Sequence, residues 1–173
     1  MKGIIERRLA YLYSGELTSV IMFVFVSYIV NYAMPNLHLY SLFSFWAAFI
    51  LLEWLLIQGT IYWHAKLKRL RVENTSITPI KVVRLLHRFK GLNKFIILLA
   101  FLAFIIDFVR WYPSLPIGGL LTAFFIYIFA ILEFINYFYK QLSYDNRFDI
   151  KYLMKSRKLK RSSLNKDFKR FYD

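Results

Sequence analysis

Cysteine is absent from the 173 residues, which excludes disulfides, thiolate metal sites and cysteine nucleophiles. Glycine (six) and proline (four) are scarce. No phosphate-cradling glycine loop, Gly-x-Ser-x-Gly elbow or His-Glu-x-x-His pair occurs. Histidine is limited to His38, His64 and His87, which sit in separate segments. The serines of the apolar stretches, Ser19, Ser27, Ser41 and Ser44, have no histidine in the same stretch to act as a base. The expectation is therefore a protein that is not an enzyme and that holds neither a metal nor a cofactor. Acids are also few: ten Asp and Glu stand against 24 Lys and Arg, for a formal charge of +14.

Apolar residues are abundant. They make up 58% of the chain, and aromatics 20%, where a soluble domain is nearer 45–50% apolar. The excess lies in blocks long enough to cross a hydrocarbon core, which takes about 20 residues. Spans are expected over residues 17–34, 40–63, 95–112 and 117–139. All Lys and Arg except Arg110 fall outside these blocks, in the N-terminal arm, the loop 64–94 and the tail 140–173. The connectors 34–40 and 111–117 contain none. Loops that stay in the cytoplasm accumulate Lys and Arg while short exported loops shed them. The chain thus reads as an all-α integral membrane protein of the cell membrane, with four transmembrane helices in two hairpins and both termini cytoplasmic. No small-x-small cleavage site follows Val30, so the first span is expected to remain as an anchor.

Residues 1–14 place Ile5, Leu9 and Leu12 at helical spacing, which suits a short interfacial helix ahead of the first span. Pro35 is expected to end that span. In the loop, Asn74-Thr75-Ser76 is a break, and Thr78-Pro79 reads as an N-cap followed by proline at the first helical position. Val82, Val83, Leu85, Leu86 and Phe89 share one helical arc, while Lys81, Arg84, His87 and Arg88 share the opposite one. This predicts a basic amphipathic helix in the membrane plane, ended by Gly91. The tail carries eleven Lys and Arg against four Asp, densest at Lys155, Arg157, Lys158, Lys160 and Arg161. The spacing of Ile150, Leu153 and Met154 predicts a helix that fades into a polar end.

Polar groups inside the spans are costly and therefore the candidates for function. Glu53 is central in the second span. Glu133 lies nearer the inner side of the fourth, with Asn136, Tyr137 and Lys140 continuing its face. Asp107 has Arg110 three residues on, a spacing that predicts an ion pair at the outer rim. Asn31, one turn after Ser27, is expected to bridge helices. Glu53 and Glu133 could line a path for a proton, cation or polar headgroup, or could lock helices together by hydrogen bonds. Lys81, Arg84, Arg88 and the tail cluster are the candidate contacts to anionic lipid or a cytoplasmic partner. Lipid is favoured over nucleic acid, because basic residues interleaved with aromatics beside a span are ordinary interfacial dressing. The function expected is a non-enzymatic accessory, regulatory or assembly component of the membrane, self-associating or part of a larger complex. The alternative is an oligomeric channel, proton-linked transporter or holin-like pore using Glu53 and Glu133.

Overall fold

The computed structural model describes residues 2–143, 151, 154 and 159–172, with the side chain of Tyr172 excepted. Four long helices carry the apolar stretches: α1 (Lys2–Ala33), α2 (Phe43–Glu73), α3 (Ile80–Trp111) and α4 (Ile117–Phe138). All four are long and apolar enough to cross a membrane. A fifth, α5 (Ser163–Tyr172), follows near the C-terminus. No strand occurs among the described residues. The tail residues Lys155, Arg157 and Lys158, and the helix expected around Ile150 and Leu153, lie outside the described residues.

Three of the helices overrun a bilayer. At 1.5 Å per residue, 31 or 32 residues reach about 47 Å, against a hydrocarbon core of about 30 Å. The overrun lies in the N-terminal part of α1, the C-terminal part of α2 and the N-terminal part of α3. These are the segments that hold the Lys and Arg residues, so they build a basic helical end. The interfacial helix expected over residues 1–14 is instead the start of α1, and the in-plane helix expected in the loop is the start of α3. Gly15 and Gly91 are both helix-internal and neither has positive φ. A glycine inside a helix costs about 1 kcal/mol relative to alanine. Tertiary contacts outweigh that here. Leu9 packs on Leu67 and Leu70, and Glu6 pairs with Arg71 at 2.8 Å, holding α1 along α2. Val83 and Leu86 are fully buried in one cluster with Leu164 and Phe168 of α5, so protein covers the middle of the apolar arc at the start of α3, while Leu85 of the same arc stays exposed.

The second helix is the hub. It packs against α1, α3 and α4, while α3 and α4 meet only sparingly. The second connector thus joins two helices that hold together mainly through α2. The first helix gives little to the interior, with Leu9 as its one buried residue. Residues Pro35–Leu37 and Leu39–Ser41 form two short 3-10 turns, with His38 left-handed between them (φ 51°). They fold back onto α4. A Cβ added at Gly119 would stand 2.0 Å from the Leu37 carbonyl oxygen, so only glycine admits that approach.

The C-terminal segment returns to the bundle instead of fading into solvent. Residues 139–141 pair antiparallel with 160–162 through Gln141 N to Lys160 O (2.9 Å) and Ser162 N to Tyr139 O (3.2 Å). Ser162 then caps α5, its hydroxyl accepting from Asn165 N at 3.1 Å as an N-cap side chain does. Leu164 and Phe168 enter the main hydrophobic cluster.

Candidate functional site

Apolar surroundings force each polar side chain to find a partner or remain as an exception. At the end opposite the basic one, Asp107 is fully buried and caps α2 from another helix. It accepts from Phe43 N at 3.1 Å and from Ser44 N at 2.7 Å. The first N–H groups of a helix have no intrahelical acceptor, and a carboxylate there is favoured by the helix dipole. The ion pair expected between Asp107 and Arg110 does not form. Arg110 lies over the Phe43 ring, 5.0 Å from its centroid, with Nη1 3.5 Å from the Ser41 carbonyl. Asn31 serves the same end by accepting from Tyr40 N at 3.3 Å. It thus ties α1 to the connector.

Midway, Gln58 of α2 and Asn93 of α3 exchange two hydrogen bonds of 2.9 and 3.0 Å, and Trp54 Nε1 donates to Asn93 Oδ1 at 3.0 Å. Both amides are buried. This lock was not singled out from sequence, because Asn93 belongs to the polar loop by composition. Only the continuation of α3 through it brings it against α2.

Glu53 faces elsewhere. Trp46, Ile50, Ile57 and Ile61 of the same helix are exposed, and Glu53 sits among them at helical spacing, half-buried. Its Oε1 is buried without a hydrogen-bond partner. Glu133 does not share that stripe. It lines a cavity of about 750 Å³ between α1, α2, α4 and α5, so the two acids proposed to line one path lie apart within a single copy.

That cavity gathers many polar side chains. Glu133 Oε2 accepts from Asn136 Nδ2 at 3.2 Å, not from Lys140, and Asn136 Oδ1 accepts from Leu142 N at 2.8 Å. Asn136 is thereby a clamp on the chain reversal after α4. Glu16, unnoticed in the sequence because it falls just ahead of the first apolar block, lines the cavity opposite Glu133. The two carboxyl groups are close enough to repel each other when both are ionised. Tyr137 is buried, its hydroxyl lying against Gly59, where a Cβ would stand 2.6 Å from it. That hydroxyl has no hydrogen bond of good geometry, although the Glu16 carboxylate is near enough to act on it. Arg8, Lys66, Lys160 and Lys166 line the same cavity.

Beyond the apolar zone, Asp167 of α5 joins three segments. Tyr62 donates to its Oδ2 at 2.7 Å, Thr78 donates at 2.6 Å, and Lys66 Nζ stands 3.7 Å away. Burial pushes the Lys66 ammonium below the usual lysine range, and the Asp167 carboxylate opposes that shift. The Thr78 hydroxyl is committed here, so it does not cap α3, whose cap position is Pro79. Of the expected basic contacts, Lys81, Arg84, Arg88 and Arg161 are exposed, and Lys160 is half-buried at the cavity. Comparison with known proteins finds no match: no family model, no curated protein and no solved structure is similar to this chain.

Proposed function

We propose that this chain is a non-enzymatic accessory, regulatory or assembly protein of the cell membrane, with both termini cytoplasmic and its basic end on the anionic inner leaflet. The observation that carries this reading is the use of the polar groups. Asp107, Asn31, Gln58, Asn93, Tyr62, Thr78 and Asp167 are all engaged in holding segments together. Lys81, Arg84 and Arg88 stay exposed on the overrunning part of α3. Each basic group near an anionic leaflet contributes about 1 kcal/mol of attraction. In nanodiscs of mixed phosphatidylglycerol and phosphatidylcholine, the wild type is expected to enrich phosphatidylglycerol around itself. The triple variant Lys81→Gln, Arg84→Gln, Arg88→Gln is expected to lose most of that enrichment, and an unchanged lipid shell rejects the assignment. Removing the C-terminal residues is a poorer test, since it also removes the docked α5.

Self-association belongs to the same proposal. A carboxyl in the middle of an outward apolar stripe is costly to expose to lipid. As an acid it can donate and accept at once, so a second Glu53 across a two-fold axis is complementary to it. Permeation is the second reading, and the separation of Glu53 from Glu133 weighs against a path within one copy. Reconstituted vesicles are expected to show no proton or solute flux. Flux that Glu53→Gln abolishes would put permeation in its place.

A further inference from the structure

The cavity between α1, α2, α4 and α5 is divided along its length. Four cations line it toward the basic end, each from a different segment: Arg8 of α1, Lys66 of α2, Lys160 ahead of α5 and Lys166 within it. The two acids lie deeper. Arg8 precedes Glu16 by eight residues of α1, about 12 Å along the axis. Lys66 stands seven residues beyond Gly59, against which the Tyr137 hydroxyl lies, about 10 Å along α2. Glu16 answers to Tyr137 and Glu133, and Glu133 to Asn136, so the acids are engaged within the bundle. They are separated from the cations by about one screening length at 0.1 M salt.

Positive charge at that end exceeds what stands against it. Asp167 is the carboxylate beside Lys66, at 3.7 Å, and Tyr62 and Thr78 already donate to the same oxygen. The Lys66 side chain is only 13% exposed. Burial weakens its hold on the proton, Asp167 opposes that, and the charges of Arg170 and Lys166 weaken it further. Three cations thus crowd one carboxylate, and an anion among them relieves the repulsion. Depth adds a second constraint. Lys66 lies three residues past the expected end of the second span, about 5 Å beyond it, which is where lipid headgroups lie. The first helix packs along α2 and hardly meets α4. Phe23 and Phe129, ring centroids 6.2 Å apart, close the deep end. Nearer the cations, the α1 wall carries Ile5 and Leu12 beside Arg8, and Ile5 is exposed.

We propose that this cavity holds one anionic phospholipid of the inner leaflet, its phosphate among Arg8, Lys66, Lys160 and Lys166 and its acyl chains leaving between α1 and α4 into the bilayer. A phosphate diester offers acceptors only, and hydrogen bonds from Lys and Arg to such an anion are about twice as strong as neutral ones. A volume of about 750 Å³ takes a headgroup with its glycerol, far more than a bare inorganic anion needs. The proposal deepens the reading of the basic end as engaging anionic lipid, and rests on it for the source of the ligand. The residues are different, since Lys81, Arg84 and Arg88 are exposed on α3 and do not line the cavity.

The full chain in detergent, offered equal amounts of phosphatidylglycerol and phosphatidylcholine with the same acyl chains, tests it by native mass spectrometry. Phosphatidylcholine has the same phosphate but carries a fixed cation beside it, which the four basic groups repel. One phosphatidylglycerol per chain is expected to be retained about tenfold over phosphatidylcholine, the effect of one like charge about 10 Å away at an effective dielectric of about 20. The triple variant Arg8→Gln, Lys160→Gln, Lys166→Gln should reduce that ratio to near one. The charge-conserving set Arg8→Lys, Lys160→Arg, Lys166→Arg should restore most of it. Equal retention of the two lipids by the wild type overturns the proposal whether or not the variants fold. A ratio that survives in a folded Gln triple variant overturns it as well, as does one that vanishes only when Lys81, Arg84 and Arg88 are changed to Gln. Displacement of the lipid by an equimolar amount of glycerol phosphate would overturn the lipid as ligand in favour of a free phosphate ester. Phosphatidylglycerol enrichment in nanodiscs without a retained lipid would strike the cavity alone and leave the surface reading standing.

Discussion

Asp107 shows how one side chain can determine where a helix begins. The preceding residues, Leu39 and Leu42, are buried and offer no side-chain acceptor to the first turn of α2. The carboxylate from α3 supplies two. Asp107→Ala is expected to destabilise the fold by about 1–3 kcal/mol, the cost of leaving buried donors unsatisfied. Asp107→Asn, which keeps one acceptor, should cost less. Reversible unfolding in mixed micelles measures both, and an Ala variant as stable as wild type would show that water serves these groups equally well. From sequence, Asp107 was legible as a polar group that had to be satisfied, but its partner was not. Arg110 was the nearest candidate along the chain, whereas the actual donors are more than 60 residues away. Glu16 was missed for a related reason: it gains meaning only when Tyr137 and Glu133 are brought opposite it.

Hydropathy located the apolar centre of each helix, and the ends were where it failed. The expected spans 17–34 and 95–112 fall almost wholly within α1 and α3, which begin well before them, and α3 continues through Gly91, the expected end of the loop helix. Composition marks where the bilayer stops, whereas a helix stops where its backbone loses partners, and here neighbouring helices carry it onward. The last element shows this most clearly. Only ten residues long, α5 is too short to be stable in water alone, so its order depends on docking. The anchors are Leu164, Phe168 and the Asp167 contacts. Phe168→Ala is expected to undock it, since removing a buried phenyl costs about 3–5 kcal/mol. Hydrogen exchange should then report lost protection over residues 163–172 and around Val83 and Leu86. Unchanged exchange there would show that the polar hub alone holds the helix.

At the scale of the molecule, the arrangement is a central helix with three neighbours and one open side. The open side of α2 is the stripe from Trp46 to Ile61 with Glu53 at its middle. Interhelical polar contacts in membranes are worth roughly 0.6–2 kcal/mol. Glu53→Ala should therefore raise the dimer dissociation constant by about threefold to thirtyfold, while Glu53→Gln, which still donates and accepts, should nearly preserve it. Energy transfer between labelled copies at increasing lipid dilution measures this. Identical association of all three proteins would exclude Glu53 from the interface.

Composition along the chain was enough for the class of the protein: four apolar stretches, their order, and the segregation of Lys and Arg to the segments around them. These follow from the transfer of side chains between water and hydrocarbon, which depends on composition over a window and not on neighbours in space. Packing in three dimensions is what makes α2 central, brings residues 160–172 back onto the bundle, and puts Glu16 and Glu133 on one cavity while Glu53 faces away. Those are contacts between residues far apart in the chain, and no local property of either partner encodes them.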